Sequence, residues 1–448
     1  MEINEIKQES KKGTRTLVKC LVCGEIFDSS LEKCPVCGVG REHFIPYEVE
    51  ETGYQSNTEE VFVILGNGAA GISAATAIRD RNKTCTIHMV SNESVRSYNR
   101  PMLTKTLISL KDIKQIEVHN PEWYEEKNIT NHLSVTIQEI NTEKKVINLS
   151  DNSAIQYDKC IYALGSECFI PPIKGADQPE VIAIRKFSDV QRVTDLIPKT
   201  KNAVVIGGGV LGLEAAWEIS KSNCNVTVLE MADKLMGRQL DQEAGEFLLT
   251  IVKNAGIQLR LNASVIEITG QNEVTGVKLA TGENFPADLV ILSSGIVPNT
   301  ALAIATGIEA ARGIVVNEHM ETNLPDVYAC GDCAEFKGVN YGIWPQALAM
   351  GEAAGANAVG DAVTYENVPP VLTFTGMNTS LFAAGDNGKT PGIQYTTVMK
   401  KDETLKTFEK YYFVDEHLSG IILIGDTSKA GKLTNDLEEK RLLKDMNL

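Results

Sequence analysis

The sequence predicts an α/β protein built from two similar strand–glycine–helix units. A small cysteine-knuckle domain precedes them and an α+β domain follows. Three observations predict this. VFVILGNGAAGISAATAI, from Val61, and NAVVIGGGVLGLEAAWEI, from Asn202, each pass from a short β-branched strand through three spaced glycines into an alanine-rich helix. Two CxxCG knuckles, Cys20–Cys23 and Cys34–Cys37, stand near the front of the chain. Beyond Pro370 the texture changes to short alternating runs separated by glycines.

Composition bounds the function. The chain has 448 residues, enough for several domains with buried cores. With 43 Lys and Arg against 59 Asp and Glu, the net charge is −16, which argues against nucleic acid and anionic membranes as partners. The N-terminal stretch is charged and lacks an apolar core, and no apolar run is long enough to span a bilayer. A soluble cytoplasmic protein is therefore expected. Ten cysteines are too few for a disulfide scaffold and point to metal binding or burial in a reducing compartment.

The first domain is expected over residues 14–47. Each knuckle presents two thiolates from one tight turn, and two facing knuckles complete a tetrahedral S4 site of Cys20, Cys23, Cys34 and Cys37. Such a site suits iron and zinc alike. Residues 48–60, EVEETGYQSNTEE, read as a polar linker. About a dozen such residues span ~20 Å on average and ~40 Å when fully extended.

The first glycine unit is expected over 61–175 and 295–365. Gly66 permits the tight turn, Gly68 lets the backbone approach a pyrophosphate, and Gly71 lets helix and strand pack closely. The second strand, Thr84–Val90, leads to Ser91-Asn92-Glu93. Glu93, or Asn92 beside it, would accept from the ribose hydroxyls. Arg100 and Lys105 are cations near the expected pyrophosphate, or a solvated basic surface.

The second unit is expected over 176–294, with Gly207, Gly209 and Gly212 in the turn. Glu230 ends the strand VTVLE. A carboxylate there accepts from an adenosine 2′-hydroxyl and repels a 2′-phosphate, so NADH is expected over NADPH. Glu214, in the following helix, is by itself a polar helix residue.

Several segments resemble known families. CLVCGEIF and CPVCGVGREHF resemble a rubredoxin-type module, with Arg41 and Phe44 as its basic and aromatic residues. The short gap between knuckles is similar to the rubredoxin-like domain of rubrerythrins. That likeness implies iron, with structural zinc as the alternative. YNRPMLTK resembles a motif of the rubredoxin reductase, nitrite reductase large-subunit and ferredoxin reductase branch of the FAD/NAD-linked oxidoreductases. The resemblance implies that Arg100 and Lys105 contact FAD. KCIYALGS is similar to the family's second FAD strand, with Leu164 in place of Thr, and implies Ala163 and Gly165 beside the flavin together with Ala70. LPDVYACGDCA resembles the third FAD motif and implies Gly331 and Asp332 at the ribityl chain. Trp344 then leads into a helix, Ala347 to Val359, whose N-terminus aims at the flavin. On the nicotinamide side the family implies Val210, small enough to leave room for hydride transfer, together with Glu214 and Gly295.

The disulfide-reductase and peroxidase branches place a redox-active cysteine near the YNRPMLTK stretch. This chain has none between Cys85 and Cys160. Cys160, Cys168, Cys330 and Cys333 read as packing residues, and none of the six histidines has ligand spacing. LFAAGD and IILIGDTSKAGKL resemble the third domain of the rubredoxin and nitrite reductases, placing an α+β domain over 366–448 with a terminal helix from Leu433 to Met446.

Together these features imply an enzyme that moves electrons from NADH through FAD to a rubredoxin-type iron centre, then to an external protein acceptor. Three alternatives stay open. They are an electron-input component of a nitrite or other reductase, an NADH oxidase or peroxidase, and a zinc-ribbon redox-sensing adaptor. An oligomer is compatible with the sequence.

Overall fold

The computed structural model describes residues 17–20, 26–34, 38–47, 53–340, 342–367, 370–446 and 448. Cys23, Cys37, residues 14–16 of the expected first domain and residues 48–52 of the expected linker lie outside the described residues.

The first glycine unit centres on a five-stranded parallel sheet. Its order is Val327–Ala329, Lys159–Tyr162, Val61–Leu65, Thr86–Val90 and Ile129–His132. Val61–Leu65 lies in the middle with its last four residues buried, which is why it reads as a continuous apolar run rather than an alternating one. The helix Ala69–Arg81 follows the glycine turn and packs against Trp344–Ala358. These helices touch backbone to backbone. A Cβ at Gly351 would lie 2.2 Å from the Ala70 carbonyl oxygen, and one at Gly355 would lie 2.4 Å from that of Ala74. The small residues of both helices are the condition for this approach.

The second unit repeats the plan. Its parallel sheet runs Val181–Ala183, Leu289–Leu292, Asn202–Ile206, Asn225–Leu229 and Gln258–Arg260, again with the glycine-motif strand in the middle. An antiparallel pair, Ser166–Cys168 with Ile296–Pro298, marks where the chain leaves the first unit and returns to it.

The last domain is a five-stranded antiparallel sheet in the order Val371–Gly376, Thr379–Gly385, His417–Ile424, Thr407–Val414 and Thr396–Asp402. Its core is continuous with the second unit, and Tyr98, Leu103, Leu107, Leu110 and Ile116 of the first unit join that same core. Lys410, buried in the sheet, pairs with Asp241 and Glu243 of the second unit. The knuckle domain is a three-stranded sheet of Ile26–Asp28, Leu17–Cys20 and Phe44–Tyr47, with Phe27 and Phe44 edge to face at 4.8 Å.

Two helices differ from expectation. The helix placed at Ala347 begins at Trp344, because Pro345 falls in the first turn, where its missing N–H costs nothing. The terminal helix runs Ala430–Glu438, not Leu433 to Met446, and a separate 3₁₀ turn follows at Leu443–Asp445. Lys440 adopts φ +49° and Leu442 bridges to His417, so the chain turns back to the sheet instead of continuing the helix. Among the described residues, no helix is long and apolar enough to cross a membrane.

Candidate active site

The two glycine turns have the same construction. Gly66 and Gly207 adopt φ +115° and +116°, and a Cβ on either would lie 2.2 Å from a carbonyl oxygen, that of Ala163 or of Ser293. Gly71 and Gly212 each lie so close to the first glycine of their own motif that a Cβ would come within 2.1 Å of its carbonyl oxygen. Gly68 and Gly209 differ from these. Each caps its helix in an extended conformation with no side-chain cap, and a Cβ there would meet nothing within 4 Å. Each turn therefore offers bare helix N–H groups to open space, which is what a pyrophosphate needs. The residues present fit a dinucleotide at both turns.

Around the first turn, Glu93 and Arg100 form an ion pair at 2.8 Å. Tyr98 donates to the other Glu93 oxygen at 2.7 Å, and Arg100 in turn donates to the Tyr98 hydroxyl at 2.7 Å. Burial, with the neighbouring Glu93 carboxylate, pushes the Tyr98 phenol well up, so it is a fixed donor. Asn92, the alternative ribose partner, is exposed. Asn67, inside the glycine motif, is nearly enclosed and bonds the Val95 carbonyl and the Ser91 hydroxyl.

Asp332 lies on the short turn Gly331–Cys333. It accepts from Ser166 at 2.9 Å and pairs with Arg185 at 2.9 Å. Gly331, at φ +75°, lies above Ala70, whose Cβ would be 2.7 Å from an added one. A cleft bounded by Gly331, Asp332, Asn340, Gly342, Gln346 and Met350 opens at the N-terminal end of the Trp344–Ala358 helix. Gly165, at φ +65°, faces the Arg185 guanidinium, and Asn299 binds the Leu164 carbonyl at 2.8 Å. Ala163 supplies the carbonyl that closes over Gly66, and Gly295 is exposed at φ +106°.

In the second unit, Glu230 turns back on the glycine loop. One carboxylate oxygen accepts from the Gly208 N–H and the other from Ala232 N–H at 2.7 Å. Met231 beside it is 76% exposed, which leaves the carboxylate at an open edge.

The two units meet at Glu214. Its side chain, on the helix Val210–Ser220 and four residues past Val210, is enclosed. One oxygen lies 3.1 Å from Lys105 Nζ and the other accepts from Thr104, both on the first unit. Burial raises the Glu214 pKa, and Lys105 and Thr104 oppose that shift without cancelling it. The expected flavin-side cation and the expected nicotinamide-side acid are thus in direct contact.

The structure describes half of the cysteine site. Cys20 and Cys34 are both enclosed. At the second knuckle, Gly38, at φ +78°, donates to the Cys34 carbonyl at 3.0 Å, and Cys34 N–H donates to the Val39 carbonyl at 2.8 Å. Arg41 pairs with Glu32 and reaches the Ser30 carbonyl, bracing the loop between knuckles. Among the described residues no three potential ligands cluster, since Cys23 and Cys37 lie outside them. The other cysteines are poor nucleophiles. Cys330 and Cys333 are enclosed, burial pushes the Cys333 thiol up to about 12, and burial also holds that of Cys330 well above its ordinary value. Burial likewise pushes Cys160 up to about 12 and raises Cys168.

The sequence motifs do not single out Tyr98, Thr104, Ser166 and Arg185. Tyr98 and Thr104 flank Arg100 and Lys105 within one motif, so proximity could have found them. Arg185 lies in the second unit, and no local signal links it to Asp332.

Comparison with known proteins agrees with this layout. Residues 61–351 match the pyridine nucleotide-disulphide oxidoreductase model, 370–441 the rubredoxin NAD+ reductase C-terminal domain, and 19–45 the rubrerythrin rubredoxin-like domain. The chain is 34% identical over 381 residues to nitrite reductase [NAD(P)H] of Bacillus subtilis, covering 84% of this chain and 47% of that protein. It is 31% identical over 383 residues to NADH-rubredoxin oxidoreductase of Clostridium acetobutylicum, covering 85% and 94%. The crystal structure of NADH:rubredoxin oxidoreductase from that organism superposes with a TM-score of 0.72 at 29% identity, over 87% of this chain and 98% of the other. The chain spans about half the length of the first two curated relatives it matches.

Proposed function

The chain belongs to the pyridine nucleotide-disulphide oxidoreductase family, and on that premise we propose that it is an FAD-dependent NADH oxidoreductase delivering electrons to its own rubredoxin-type iron centre. From there they pass to an external protein acceptor in the cytoplasm. The observation that carries the reading is the contact of Lys105 with Glu214, which brings the two dinucleotide turns to one junction.

When bound, FAD supplies the means of taking a hydride from NADH and releasing its two electrons singly. The chain's own residues position and enclose. Gly66, Gly68 and Gly71 give FAD phosphates a bare helix terminus, and Arg100 and Lys105 supply positive charge nearby. Ser166 and Arg185 fix Asp332 on the turn that would hold the ribityl chain. The N-terminus of Trp344–Ala358 offers a positive dipole end to a reduced flavin. Gly207, Gly209, Gly212 and Glu230 hold NADH, and Val210 leaves its approach open. Lys105 stays paired with Glu214 and so holds the junction between the units. Neither group has to transfer a proton, because hydride and electron transfer need placement above all.

Four thiolates, Cys20, Cys23, Cys34 and Cys37, would hold the iron. The free thiols described near the flavin side are enclosed with raised pKa values, which supports electrons leaving toward the knuckle domain instead of through a dithiol. Replacing Cys34 by Ser tests the assignment. Reduction of the flavin by NADH should survive, and reduction of an added rubredoxin-dependent acceptor should fall at least a hundredfold. Undiminished transfer to that acceptor would remove the knuckle domain from the path.

A further inference from the structure

The knuckle domain is not suspended on a free tether. Cys20, Phe27 and Cys34 belong to one buried apolar cluster with Phe382, Tyr411, Phe413, Leu423 and Ala430 of the C-terminal domain. Val18, Val39 and Phe44 pack against the same cluster. Val39 shares a small cleft with Ser380, Thr427 and Ala430, so it lies over the start of the Ala430–Glu438 helix and the strand Thr379–Gly385. His43, 2% exposed, is near enough to Asp426 to act on its charge. Asp426 is held below its ordinary value first by Ser428, with Lys429 and His43 adding to the effect. Trp344 packs against this cluster and against the core of the first glycine unit.

The tether gives an independent observation. Within the stretch expected to be a linker, residues 54–58 are fastened to the first unit. Tyr54 donates to the Val359 carbonyl at 2.9 Å, Gln55 to Asp80 at 3.0 Å, and Ser56 N–H to Arg81 at 3.0 Å. Asn82 reaches the Thr58 carbonyl at 3.1 Å. A Cβ on Gly360 would lie 2.7 Å from the Tyr54 hydroxyl, so this anchor is closely fitted. From Tyr47, the end of the knuckle sheet, to Gly53 the chain can reach at most ~20 Å, at about 3.3–3.6 Å per residue. That is half the extended reach of the whole 48–60 stretch.

We propose that the knuckle domain works from a fixed seat on the C-terminal domain of its own chain, with Val39 meeting Thr427 and Ala430. The C-terminal sheet is then a built-in docking face whose occupant is residues 17–47 of the same chain. An external carrier does not reach the flavin through that face. It meets the outer side of the seated domain. The docking stands on packing alone, and its meaning as an electron-acceptor seat rests on the proposed function.

A mixture of unlabelled and ¹⁵N-labelled full-length protein, treated with a lysine-reactive cross-linker and read by mass spectrometry, tests the seat. Lys33 on the knuckle domain and Lys429 and Lys432 on the helix start are exposed reporters. Links between them should join peptides of one isotope only. They should fall at least tenfold in Val39→Lys and, as a second disruption from the other side, in Ala430→Arg. Both variants should keep native NADH–ferricyanide activity. Mixed-isotope links in statistical proportion, absent links in the native protein, or links that persist in both variants would overturn the proposal. The cross-links need no electron transfer. Failure of the redox reading would appear instead as lost ferricyanide activity in the native protein with the links intact.

Discussion

Glu214 shows how much of the site is decided by single side chains. Its own residues read as one polar position on a helix, the family resemblance implies a place on the nicotinamide side, and the contact with Lys105 and Thr104 is what joins it to the first unit. The partners lie more than a hundred positions away, a relation no local pattern encodes. Its titration gives a signed prediction. An ordinary glutamate titrates at 4.5, and burial raises this one in the folded protein. As pH rises the unfolded chain ionises first, so the group's contribution is whole below about 4.5 and is lost as pH climbs through its folded pKa. Glu214→Gln should therefore gain stability relative to the native protein as pH rises above ~4.5, as followed by thermal denaturation. A native protein that gains on the variant over that range would mean the Lys105 pair outweighs burial. Glu230 was legible for the opposite reason, since strand, turn and acid follow one another in sequence. Glu230→Ala should raise KM for NADH about tenfold or more through loss of a charged acceptor, worth roughly 1.5–3 kcal/mol, with little change in kcat. An unchanged KM would reassign the ribose partner.

At the scale of elements, the glycine turns were legible because their constraints are local. A positive φ and a carbonyl 2.2 Å from an absent Cβ admit little other than glycine. Helix ends were less legible. Trp344 starts its helix because Pro345 tolerates a first-turn position, and Ala430–Glu438 stops because Leu442 is claimed by a strand neighbour. The second of these is a tertiary event and leaves no mark in the sequence pattern. The close pairing of Ala69–Arg81 with Trp344–Ala358 was also hidden, although both helices announced themselves by their small residues. A branched residue at Gly355 would force the two backbones apart. Gly355→Leu should cost about 1–3 kcal/mol and loosen FAD retention, because the same helix starts at the cleft of Gly331 and Asp332 proposed to hold the flavin. Denaturation and bound-flavin absorbance on the purified variant check both. Native stability with full flavin content would show that this contact is not tight.

At the scale of the molecule, repetition made the two glycine units legible, with knuckles before and an α+β domain after, and the family resemblance of LPDVYACGDCA implied that the second unit interrupts the first. Their mutual placement was not. Residues 98–116 leave the first unit to complete the core of the second, and Lys410 ties the C-terminal sheet to Asp241 and Glu243. Cys20 and Cys34 fall in one buried cluster with residues of the C-terminal sheet, which turns an apparent appendage into part of the body. The central claim, that electrons from NADH pass through the flavin to a metal centre in the same chain, makes the strongest demand on this arrangement. Its most direct test is anaerobic rapid mixing of the as-isolated full-length protein with NADH, following flavin and iron absorbance together. Flavin reduction should be followed by bleaching of the iron chromophore at a rate independent of protein concentration. Flavin that reduces while the iron absorbance stays unchanged, or a stoichiometric zinc content with no iron chromophore, would contradict the account.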